Sequence, residues 1–432
     1  MNYDDAKAFL DSLVNYERDV PRRYDTRVFD LENFAELLVR LGTPQDAFPI
    51  IHVVGTKGKG SVVAMLAAAF AAAGRRAGTF TSPHLRSARE RITFADEIVS
   101  REDFGGLVAE VKAAMTGEEA ANYRTYFETL LAAALLHFRE RRVDVAILEA
   151  GLGGRLDATN VVRPAAVAVT TLGLDHTQIL GDSLEKIAAE KAGVFKAAVP
   201  AVSAPQEEAA ARVLREAGRD VGAPVAFVGD DVHFSVNGAG TFDYRGPRYE
   251  LRGVKAAMAG AAQRTNAAVA LAALESFGPF DVAAEAARRG VEGGRARARL
   301  EVLPGSPVVV LDVAHTAASA RELAAVIDGV PADKKALVWG MSAEKDAASF
   351  AGELAPYVGH AIATAAATPR ARAAAELADA TRGTFRGVEA VTPAGAAFAR
   401  GLAVAGEGGL VAVAGSFYLA GEILTLLEGP LD

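Results

Sequence analysis

The chain has 432 residues, of which 51% are hydrophobic and 23% are charged, so it can form more than one hydrophobic core, and this composition excludes a disordered protein. Its net charge of -8, without a long basic run, argues against a nucleic-acid partner, and its 0 cysteines exclude disulfides and thiolate metal sites. The acidic start, MNYDDAKAFL, does not fit a signal peptide, and no apolar segment is long enough to span a bilayer, so we expect a cytoplasmic protein without membrane partners.

Short β-rich runs alternate with Ala- and Leu-rich helical stretches in the first part of the chain. This alternation is typical of βαβ units and predicts a parallel sheet. The predicted strands comprise residues 50–54, 77–81, 143–148, 165–171 and 199–203.

The pattern changes after residue 220. Runs at 225–228, 232–236 and 248–251 predict antiparallel hairpin strands, because the turn signals Asn237-Gly238 and Gly246-Pro247 lie between them. A helix is predicted at residues 261–276.

A Gly- and Arg-rich stretch at residues 290–297 lacks apolar periodicity and precedes a new series of strands. We therefore predict two domains, residues 1–294 and 295–432. Helices separate the new strands, which predicts a second open α/β sheet. The Ala-rich tract at 361–380 suits a helix. The predicted strands of the second domain comprise residues 300–303, 308–312, 336–339, 360–364 and 410–414.

The sharpest feature is the run Gly55-Thr56-Lys57-Gly58-Lys59-Gly60-Ser61, which lies between strand 50–54 and the helical run 62–73. Glycines let backbone N–H groups approach phosphate oxygens, and a helix N-terminus adds positive potential. In this context Lys59 is placed to reach nucleotide phosphates and Ser61 to approach Mg²⁺. The run departs from the strict P-loop pattern because Gly60 separates these two residues. The alternative interpretation is a strand–helix turn with incidental lysines.

Other polar side chains follow predicted strands, at the sheet edge where ligands of open α/β sheets gather. Glu149 is placed to bind Mg²⁺, although a salt-bridged strand end is the alternative. His176, beside Asp175, is a candidate metal ligand or proton carrier, and Ser82 follows a strand at the same edge. In the second domain, Asp312 and His315 end a strand where we expect an interdomain cleft. For this segment and for that of Ser82, taken alone, an ordinary strand-to-loop junction is the favoured alternative. The histidines interpreted as packing residues or as lacking polar neighbours are His52, His137, His233 and His360.

A nucleotide-phosphate loop together with carboxylate and imidazole ligands favours phosphoryl transfer, in which positioning and Mg²⁺ do most of the work. Hydride transfer is disfavoured because the first strand is not followed by the G-x-G-x-x-G pattern.

Seven motifs are found in order along the chain: G-T-K-G-K-G-S, T-S-P-H-L followed by R-E-R-I, T-Y-F-E-T-L, L-E-A-G-L-G-G-R-L-D-A-T-N, L-G-L-D-H-T, A-A-E-K-A-G-V and G-S-F-Y-L-A-G-E-I. Together they resemble the folylpolyglutamate synthase/dihydrofolate synthase family of the Mur ligase superfamily. The resemblance covers nearly the whole chain. It implies an N-terminal P-loop ATPase domain with a parallel-rich sheet, a smaller C-terminal Rossmann-like α/β domain, and an active site between them.

The resemblance also implies the reaction and the residues that serve it. ATP and Mg²⁺ would activate the carboxylate of a folate or dihydropteroate as an acyl phosphate, and a monomeric enzyme would couple it to L-glutamate. The implied catalytic residues are Lys59, His176, Lys191 and His315. The implied ATP-binding residues are Gly55, Thr56, Gly58, Lys59, Gly60, Ser61, Asn266, Arg299 and Asp312. The implied substrate-binding residues are Ser82, Pro83, His84, Leu156, Asp157, Ala158 and Thr159. The implied metal ligands are Ser82, Glu149, His176 and Lys191, the last of which corresponds to the family's carbamylated lysine.

The chain departs from the family pattern at three places. Lys57 stands where members usually have Asn, Arg297-Ala298-Arg299 replaces P-G-R, and Asp312-Val313-Ala314-His315-Thr316 replaces D-G-A-H-N. Two alternatives stay open. One is a Mur-type ligase that acts on another carboxylate, against which the T-S-P-H-L and L-D-A-T-N segments argue. The other, which the altered second-domain motifs favour, is a nucleotide-binding protein without ligase activity.

Overall fold

The computed structural model describes residues 1–18, 25, 29–115, 124–238 and 240–432. They form two compact units. The first unit comprises Met1–Pro83, Ala88–Ala257 and Gln263–Arg295, and the second comprises His84–Ser87, Met258–Ala262 and Ala296–Asp432. Two short segments from the earlier part of the chain thus belong to the second unit.

A mixed sheet organises the first unit. Its strands are β1 (Ile50–Val54), β2 (Ala77–Phe80), β3 (Ile92–Phe94), β4 (Glu97–Ile98), β5 (Val145–Glu149), β6 (Ala166–Val169), β7 (Ala201–Ser203) and β8 (Val225–Phe227). Their order in the sheet is β4-β3-β2-β5-β1-β6-β7-β8. The pairs from β2 to β8 are parallel, and β3 and β4 add an antiparallel edge. The predicted parallel sheet is therefore confirmed.

Helices cover this sheet. They are α1 (Tyr3–Asp11), α2 (Leu31–Arg40), α3 (Lys59–Ala72), α4 (Arg101–Ala114), α5 (Tyr126–Glu140), α6 (Thr177–Leu180), α7 (Leu184–Ala192), α8 (Glu208–Val221), α9 (Ala261–Ser276) and α10 (Ala284–Gly293). A capping box between Thr125 and Glu128 starts α5, whose side chains are almost all buried. No helix in the described part of the chain has the length and apolar character needed to cross a membrane.

Helix α10 packs closely against α3. A Cβ atom on Gly290 would collide with Ala69, and one on Gly294 would lie 2.6 Å from Cα of Met65. Glycine at these positions therefore lets two helix backbones approach each other. Residues 290–293, which lack apolar periodicity, form the end of α10, and close packing against α3 accompanies this helical end.

A small antiparallel sheet of β9 (His233–Val236), β10 (Phe242–Arg245) and β11 (Glu250–Val254) also belongs to the first unit, in the order β11-β10-β9. Strand β10 was not among the predicted strands. Residues 225–228 were predicted to belong to this antiparallel group, which was wrong: β8 pairs parallel with β7 at the edge of the main sheet.

The second unit contains another sheet, in the order β12-β13-β17-β14-β15-β16. All its strand pairs are parallel except that of β12 with β13. The predicted α/β class is confirmed for this unit too. Its strands are β12 (Glu301–Leu303), β13 (Val308–Leu311), β14 (Lys335–Trp339), β15 (His360–Ala363), β16 (Gly387–Ala390) and β17 (Leu410–Ala414). Its helices are α11 (Ala317–Gly329), α12 (Ala347–Leu354), α13 (Ala374–Ala380), α14 (Ala394–Ala405) and α15 (Phe417–Glu428).

The Ala-rich tract at 361–380 is not one helix. Its first residues form β15, which pairs with β14 and β16, and helix starts only at Ala374. Alanine has a high helix propensity, but Pro369 interrupts the tract and the pairing of β15 with two neighbours overrides local preference.

Candidate active site

Four neighbouring strands of the first unit end at one edge of the sheet. Residue Gly55 follows β1, Ser82 follows β2, Glu149 is the last residue of β5, and Thr170 follows β6. Parallel pairing places Val53 of β1 opposite Glu149 of β5. This edge is where open α/β sheets bind their ligands.

The phosphate loop (residues 55–61) leaves β1 and enters α3. The backbone N–H groups of Thr56 and Lys57 both donate to the carbonyl of Thr171, at 3.1 Å each, which holds the loop against the end of β6. A Cβ atom on Gly55 would collide with Thr170, so this close approach requires glycine. Gly58 caps the helix with φ of 93°, a left-handed conformation that glycine adopts without strain.

Helix α3 starts earlier than predicted, at Lys59 rather than at residue 62. Lys59, Gly60 and Ser61 therefore form the first turn, and Val62 makes the first intrahelical bond, to the carbonyl of Gly58, at 2.9 Å. Backbone amides of a first turn lack intrahelical acceptors and can bind phosphate oxygens. Asn266 of α9 contacts this turn, since a Cβ atom on Gly58 would collide with its side-chain amide.

The Glu149 carboxylate links the phosphate loop to the segment after β2. Its Oε1 lies 3.8 Å from Nζ of Lys59, and its Oε2 accepts a hydrogen bond from the backbone N–H of Ser82 at 3.3 Å. Glu149 is only 3% exposed. Burying a carboxylate is unfavourable without positive or donor groups, and these two contacts provide them. The three predicted site residues are thus adjacent in the structure.

Lys191 lies beneath the phosphate loop. Its side chain projects from α7, is 4% exposed, and donates to the carbonyls of Gly55 at 2.9 Å and Gly153 at 3.3 Å. Burial, and then the positive charge of Lys59, lower the pKa of Lys191 from 10.5 to about 7. A surface lysine paired with its neighbour Glu190 is therefore excluded. Glu190 instead pairs with Arg155, at 2.8 Å.

The 151–160 loop follows β5 and is tied to α7. The backbone N–H of Arg155 donates to the carbonyl of Glu190 at 2.7 Å, and the side chain of Asn160 donates to the carbonyl of Gly193 at 3.1 Å. A Cβ atom on Gly154 would lie 2.7 Å from the backbone carbonyl oxygen of Glu190. The loop and the end of α7 that carries Lys191 therefore form one packed element.

Asp157 holds the 151–160 loop from within. Its carboxylate accepts hydrogen bonds from the backbone N–H groups of Leu152 at 2.7 Å and Thr159 at 3.0 Å, and from the Thr159 hydroxyl. Burial raises the pKa of Asp157, and these hydrogen bonds oppose that rise. The four residues of this loop that were predicted to bind substrate are all buried: Leu156, Asp157, Ala158 and Thr159.

His176 differs from the other predicted ligands because its side chain is exposed. It precedes α6 with φ of 49°, and its backbone N–H donates to the Asp175 carboxylate at 2.9 Å. In the described part of the chain, no group of three or more His, Asp and Glu side chains is arranged to hold a metal. A metal here would therefore also need Ser82, a modified Lys191 or phosphate oxygens.

The predicted residues of the second unit surround the end of β13. Asp312 accepts hydrogen bonds from the backbone N–H groups of Leu300 at 2.5 Å and Ala314 at 2.6 Å, and burial raises its pKa from 3.8 to about 6. The guanidinium of Arg299 lies 5.0 Å from the centre of the Phe417 ring. The Nδ1 atom of His315 lies 2.9 Å from the carbonyl of Val313, which only accepts, so Nδ1 carries a proton.

The T-S-P-H-L segment divides between the units: Ser82 and Pro83 belong to the first and His84 to the second. The residues after His84 pack on α15, where Leu85 approaches Gly421 so closely that no side chain would fit on the glycine. Arg86 pairs with Glu428 of that helix at 3.1 Å.

Two histidines have polar contacts that were not predicted from the sequence. His52 is buried in β1 and its Nε2 lies 2.8 Å from the hydroxyl of Thr159, so it is more than a packing residue. The available signal was a polar residue inside the apolar strand I-I-H-V-V. His360, which was described as lacking polar neighbours, contacts Glu389 at 2.8 Å, because parallel pairing aligns β15 with β16.

Two family models match this chain. The Mur ligase middle domain matches residues 53–274, and the Mur ligase, glutamate ligase domain matches residues 298–417. The dihydrofolate synthase/folylpolyglutamate synthase of Escherichia coli is 31% identical over 399 residues, which cover 92% of this chain and 91% of the relative.

Solved structures are similar over the full length. The structure of E. coli FolC in complex with DHPP and ADP has a TM-score of 0.86 at 27% identity and covers 100% of this chain and 99% of that one. A bifunctional folylpolyglutamate synthase/dihydrofolate synthase with Mn, AMPPNP and L-glutamate bound has a TM-score of 0.85 at 29% identity, covering 99% and 98%.

Two archaeal relatives are longer. They are probable bifunctional folylpolyglutamate synthase/dihydropteroate synthases of Haloferax volcanii and Halobacterium salinarum, 34% and 35% identical to this chain. The chain spans 42% and 52% of their lengths.

Proposed function

Since this chain belongs to the folylpolyglutamate synthase/dihydrofolate synthase family of Mur ligases, we propose that it is an ATP-dependent ligase that joins L-glutamate to a folate or to dihydropteroate. The observation that carries the proposal is the phosphate loop with Glu149 and Lys191 packed around it at one sheet edge. Relatives solved with ADP and DHPP, and with AMPPNP and L-glutamate, support these substrates.

The reaction consists of two displacements. The terminal carboxylate of the acceptor attacks the γ-phosphate of ATP, which forms an acyl phosphate and releases ADP. The amine of glutamate then attacks the acyl carbon, and phosphate leaves as the amide forms. The enzyme's contribution is to hold the reactants in line and to stabilise the negative charge that develops.

Residues of the first helical turn bind the nucleotide. The backbone N–H groups of Gly60 and Ser61 contact phosphate oxygens, and the Lys59 ammonium contacts the transferred phosphate. Because Lys59 lies 3.8 Å from Glu149, the ammonium is held at the strand edge before a nucleotide arrives. The remaining ATP contacts that we propose, from the resemblance alone, are Gly55, Thr56, Gly58, Asn266, Arg299 and Asp312.

The donors in the first unit fit Mg²⁺, which prefers oxygen ligands and commonly takes one or two carboxylates with phosphate oxygens. Glu149 and the Ser82 hydroxyl would hold one ion, and His176 with Lys191 a second. A bound ion would neutralise charge on the phosphates during transfer.

Lys191 is proposed to carry a carbamate. Its amine is buried, and a pKa of about 7 leaves a large neutral fraction, which is the form that attacks CO₂. The new N–C bond replaces one N–H, and the product is an anion with oxygen donors. The neighbouring carboxylates of Asp157, Asp175 and Glu190 would repel that anion, so we expect the carbamate to require a bound divalent cation.

The acceptor site is proposed at Ser82, Pro83, His84 and the 151–160 loop, and His315 is proposed to assist removal of the amine proton. A nucleotide-binding protein without ligase activity is the second candidate, because the second unit departs from the family pattern at Ala298 and Val313. The two candidates differ in whether ADP release depends on glutamate.

The experiment is an ADP-release assay with purified protein, Mg²⁺ and ATP. The acceptors are tetrahydrofolate, dihydropteroate and a cell-wall peptide precursor, each with and without L-glutamate. Glutamate-dependent ADP release with a pteridine acceptor, and product of the matching mass, supports the proposal. Turnover with the cell-wall precursor alone would identify a different Mur ligase, and nucleotide binding without turnover would identify the second candidate.

A further inference from the structure

A buried row of polar side chains joins β1 to the 151–160 loop. The Nε2 atom of His52 lies 2.8 Å from the Thr159 hydroxyl, which in turn contacts Oδ1 of Asp157. His52 and Thr159 are fully buried and Asp157 is 5% exposed. The row lies inside the molecule, so its members act on one another rather than on solvent.

The donors and acceptors available to Asp157 and Thr159 decide which atoms in this row donate and which accept. Oδ1 of Asp157 also accepts from the backbone N–H of Thr159, and Oδ2 accepts from Leu152, so the carboxylate acts only as an acceptor. The Thr159 hydroxyl must then donate to Asp157 and accept from His52. His52 is therefore the donor, with its proton on Nε2.

The opposite direction is unfavourable. If the hydroxyl of Thr159 donated to His52, the neutral ring would carry its proton on Nδ1, an atom with no hydrogen-bond partner among the described residues. A buried N–H without an acceptor is costly. Burial, and then the positive charge of Lys196, lower the pKa of His52 to about 3, which keeps the imidazole neutral.

We propose that His52 is a positioning residue for the acceptor site: its Nε2–H, through Thr159 and Asp157, holds the 151–160 loop in the shape that receives the pteridine substrate. This inference rests on the proposed function for the identity of the ligand. Among the described residues, the hydrogen bonds of Asp157 come from within residues 151–160, so the contact of His52 with Thr159 joins this hydrogen-bonded group to β1.

The role differs from that of a residue that binds substrate. Removing the Nε2–H donor of His52 lowers the fraction of molecules whose 151–160 loop can bind the acceptor. The apparent dissociation constant for the acceptor then rises in proportion to the inverse of that fraction. The phosphate loop has separate contacts to the end of β6, from the backbone N–H groups of Thr56 and Lys57 to the Thr171 carbonyl, so we expect ATP binding to change much less. The expected signature is therefore a selective loss of acceptor affinity.

The test compares His52→Leu, His52→Gln and His137→Leu in the full chain. Glutamine offers a donor close to the position of Nε2, whereas leucine fills the space without one. His137 is also a buried histidine, 2% exposed, but it lies on α5 among Phe94 and Phe138, so its variant controls for replacing a buried imidazole.

In His52→Leu, we expect the KM for the acceptor to rise about tenfold, the loss typical of one buried hydrogen bond, while the KM for ATP stays within about twofold. Amides of residues 151–160 should exchange hydrogen faster in that variant only. In His52→Gln, most of the acceptor affinity and of the slow amide exchange should return. His137→Leu should match the unmodified chain in both measurements.

Equal changes in both KM values, or unchanged exchange in the loop, would overturn the inference. A second measurement does not depend on any variant folding: ¹⁵N NMR of the unmodified chain should find His52 neutral with its proton on Nε2 at pH 7. A proton on Nδ1 would refute it. If no acceptor is turned over, the proposed ligase function fails, whereas the NMR and exchange data still decide the role of His52.

Discussion

The Nζ atom of Lys191 donates a hydrogen bond to the carbonyl oxygen of Gly55 at 2.9 Å, so a buried lysine on α7 supports the first residue of the phosphate loop. The two residues are 136 positions apart in the chain. This contact couples the element that would bind ATP to the element that would carry the carbamate.

Lys191→Ala is expected to lose at least roughly a hundredfold in ligase turnover, because it removes both the loop contact and the proposed anionic ligand. Acetate should restore part of the activity by occupying the vacated space. The matched control is Lys186→Ala on the same helix, whose side chain is 63% exposed and pairs with Asp182. Crystals grown with bicarbonate and Mg²⁺ should have density beyond the Lys191 amine. An unmodified amine together with a fully active Lys191→Ala variant would exclude the carbamate.

Lys59→Ala is expected to reduce turnover by at least roughly a hundredfold, the scale seen when a group that stabilises transition-state charge is removed. The far-UV circular dichroism spectrum should stay unchanged. Lys57→Asn, the residue usual in the family, should retain turnover and serves as the control. Near-normal turnover of Lys59→Ala would show that the loop does not hold the transferred phosphate.

The pH dependence of stability should report the burial of His52. Its folded pKa, about 3, lies below the ordinary value of 6.5, so unfolding takes up a proton as the pH falls below 6.5. The contribution of His52 to the free energy of unfolding is therefore fully present above pH 6.5. It declines toward pH 3, by at most roughly 1.4 kcal/mol per pH unit. Urea unfolding of the unmodified chain and of His52→Gln from pH 7 to pH 5 should give a difference that shrinks with acidification. A constant difference would mean that His52 titrates normally.

Asp312 should produce the opposite dependence. Its folded pKa, about 6, exceeds the ordinary 3.8, so the folded state binds the proton more tightly. Its contribution to stability is full below pH 4 and is lost as the pH rises through 6, in total roughly 3 kcal/mol at most. Asp312→Asn should remove this dependence and add a fixed cost of about 1–3 kcal/mol, because one of the two backbone donors, Leu300 or Ala314, loses its acceptor. Urea unfolding of both forms between pH 4 and pH 7 measures the difference. Parallel pH profiles would contradict the prediction.

Local patterns were sufficient for elements whose signal lies in their own residues. The predicted bounds agree with the structure for the apolar strands β1 and β17 and for the Ala-rich helix α9. They failed where neighbours decide: β8 joins the parallel sheet because β7 lies beside it. The Ala-rich composition of residues 361–380 suggests a helix throughout, whereas the strand predicted at 360–364 forms there, flanked by β14 and β16. Gly58, the residue before α3, packs against Asn266, a residue far along the chain, and this contact has no signal in the local sequence.

The sequence by itself determined the family, through the order of its motifs, and the chemical types available at the candidate site: the lysines of the phosphate loop, Glu149, His176 and Lys191. Only the tertiary structure decided which of these groups are buried and what they contact. His52 and Thr159 are 107 residues apart, and Lys191 contacts Gly55 and Gly153, which are 136 and 38 positions away in the chain. Protonation and hydrogen-bond direction depend on burial and on such distant neighbours, which is why a lysine with a pKa of about 7 and a donating imidazole cannot be derived from local sequence.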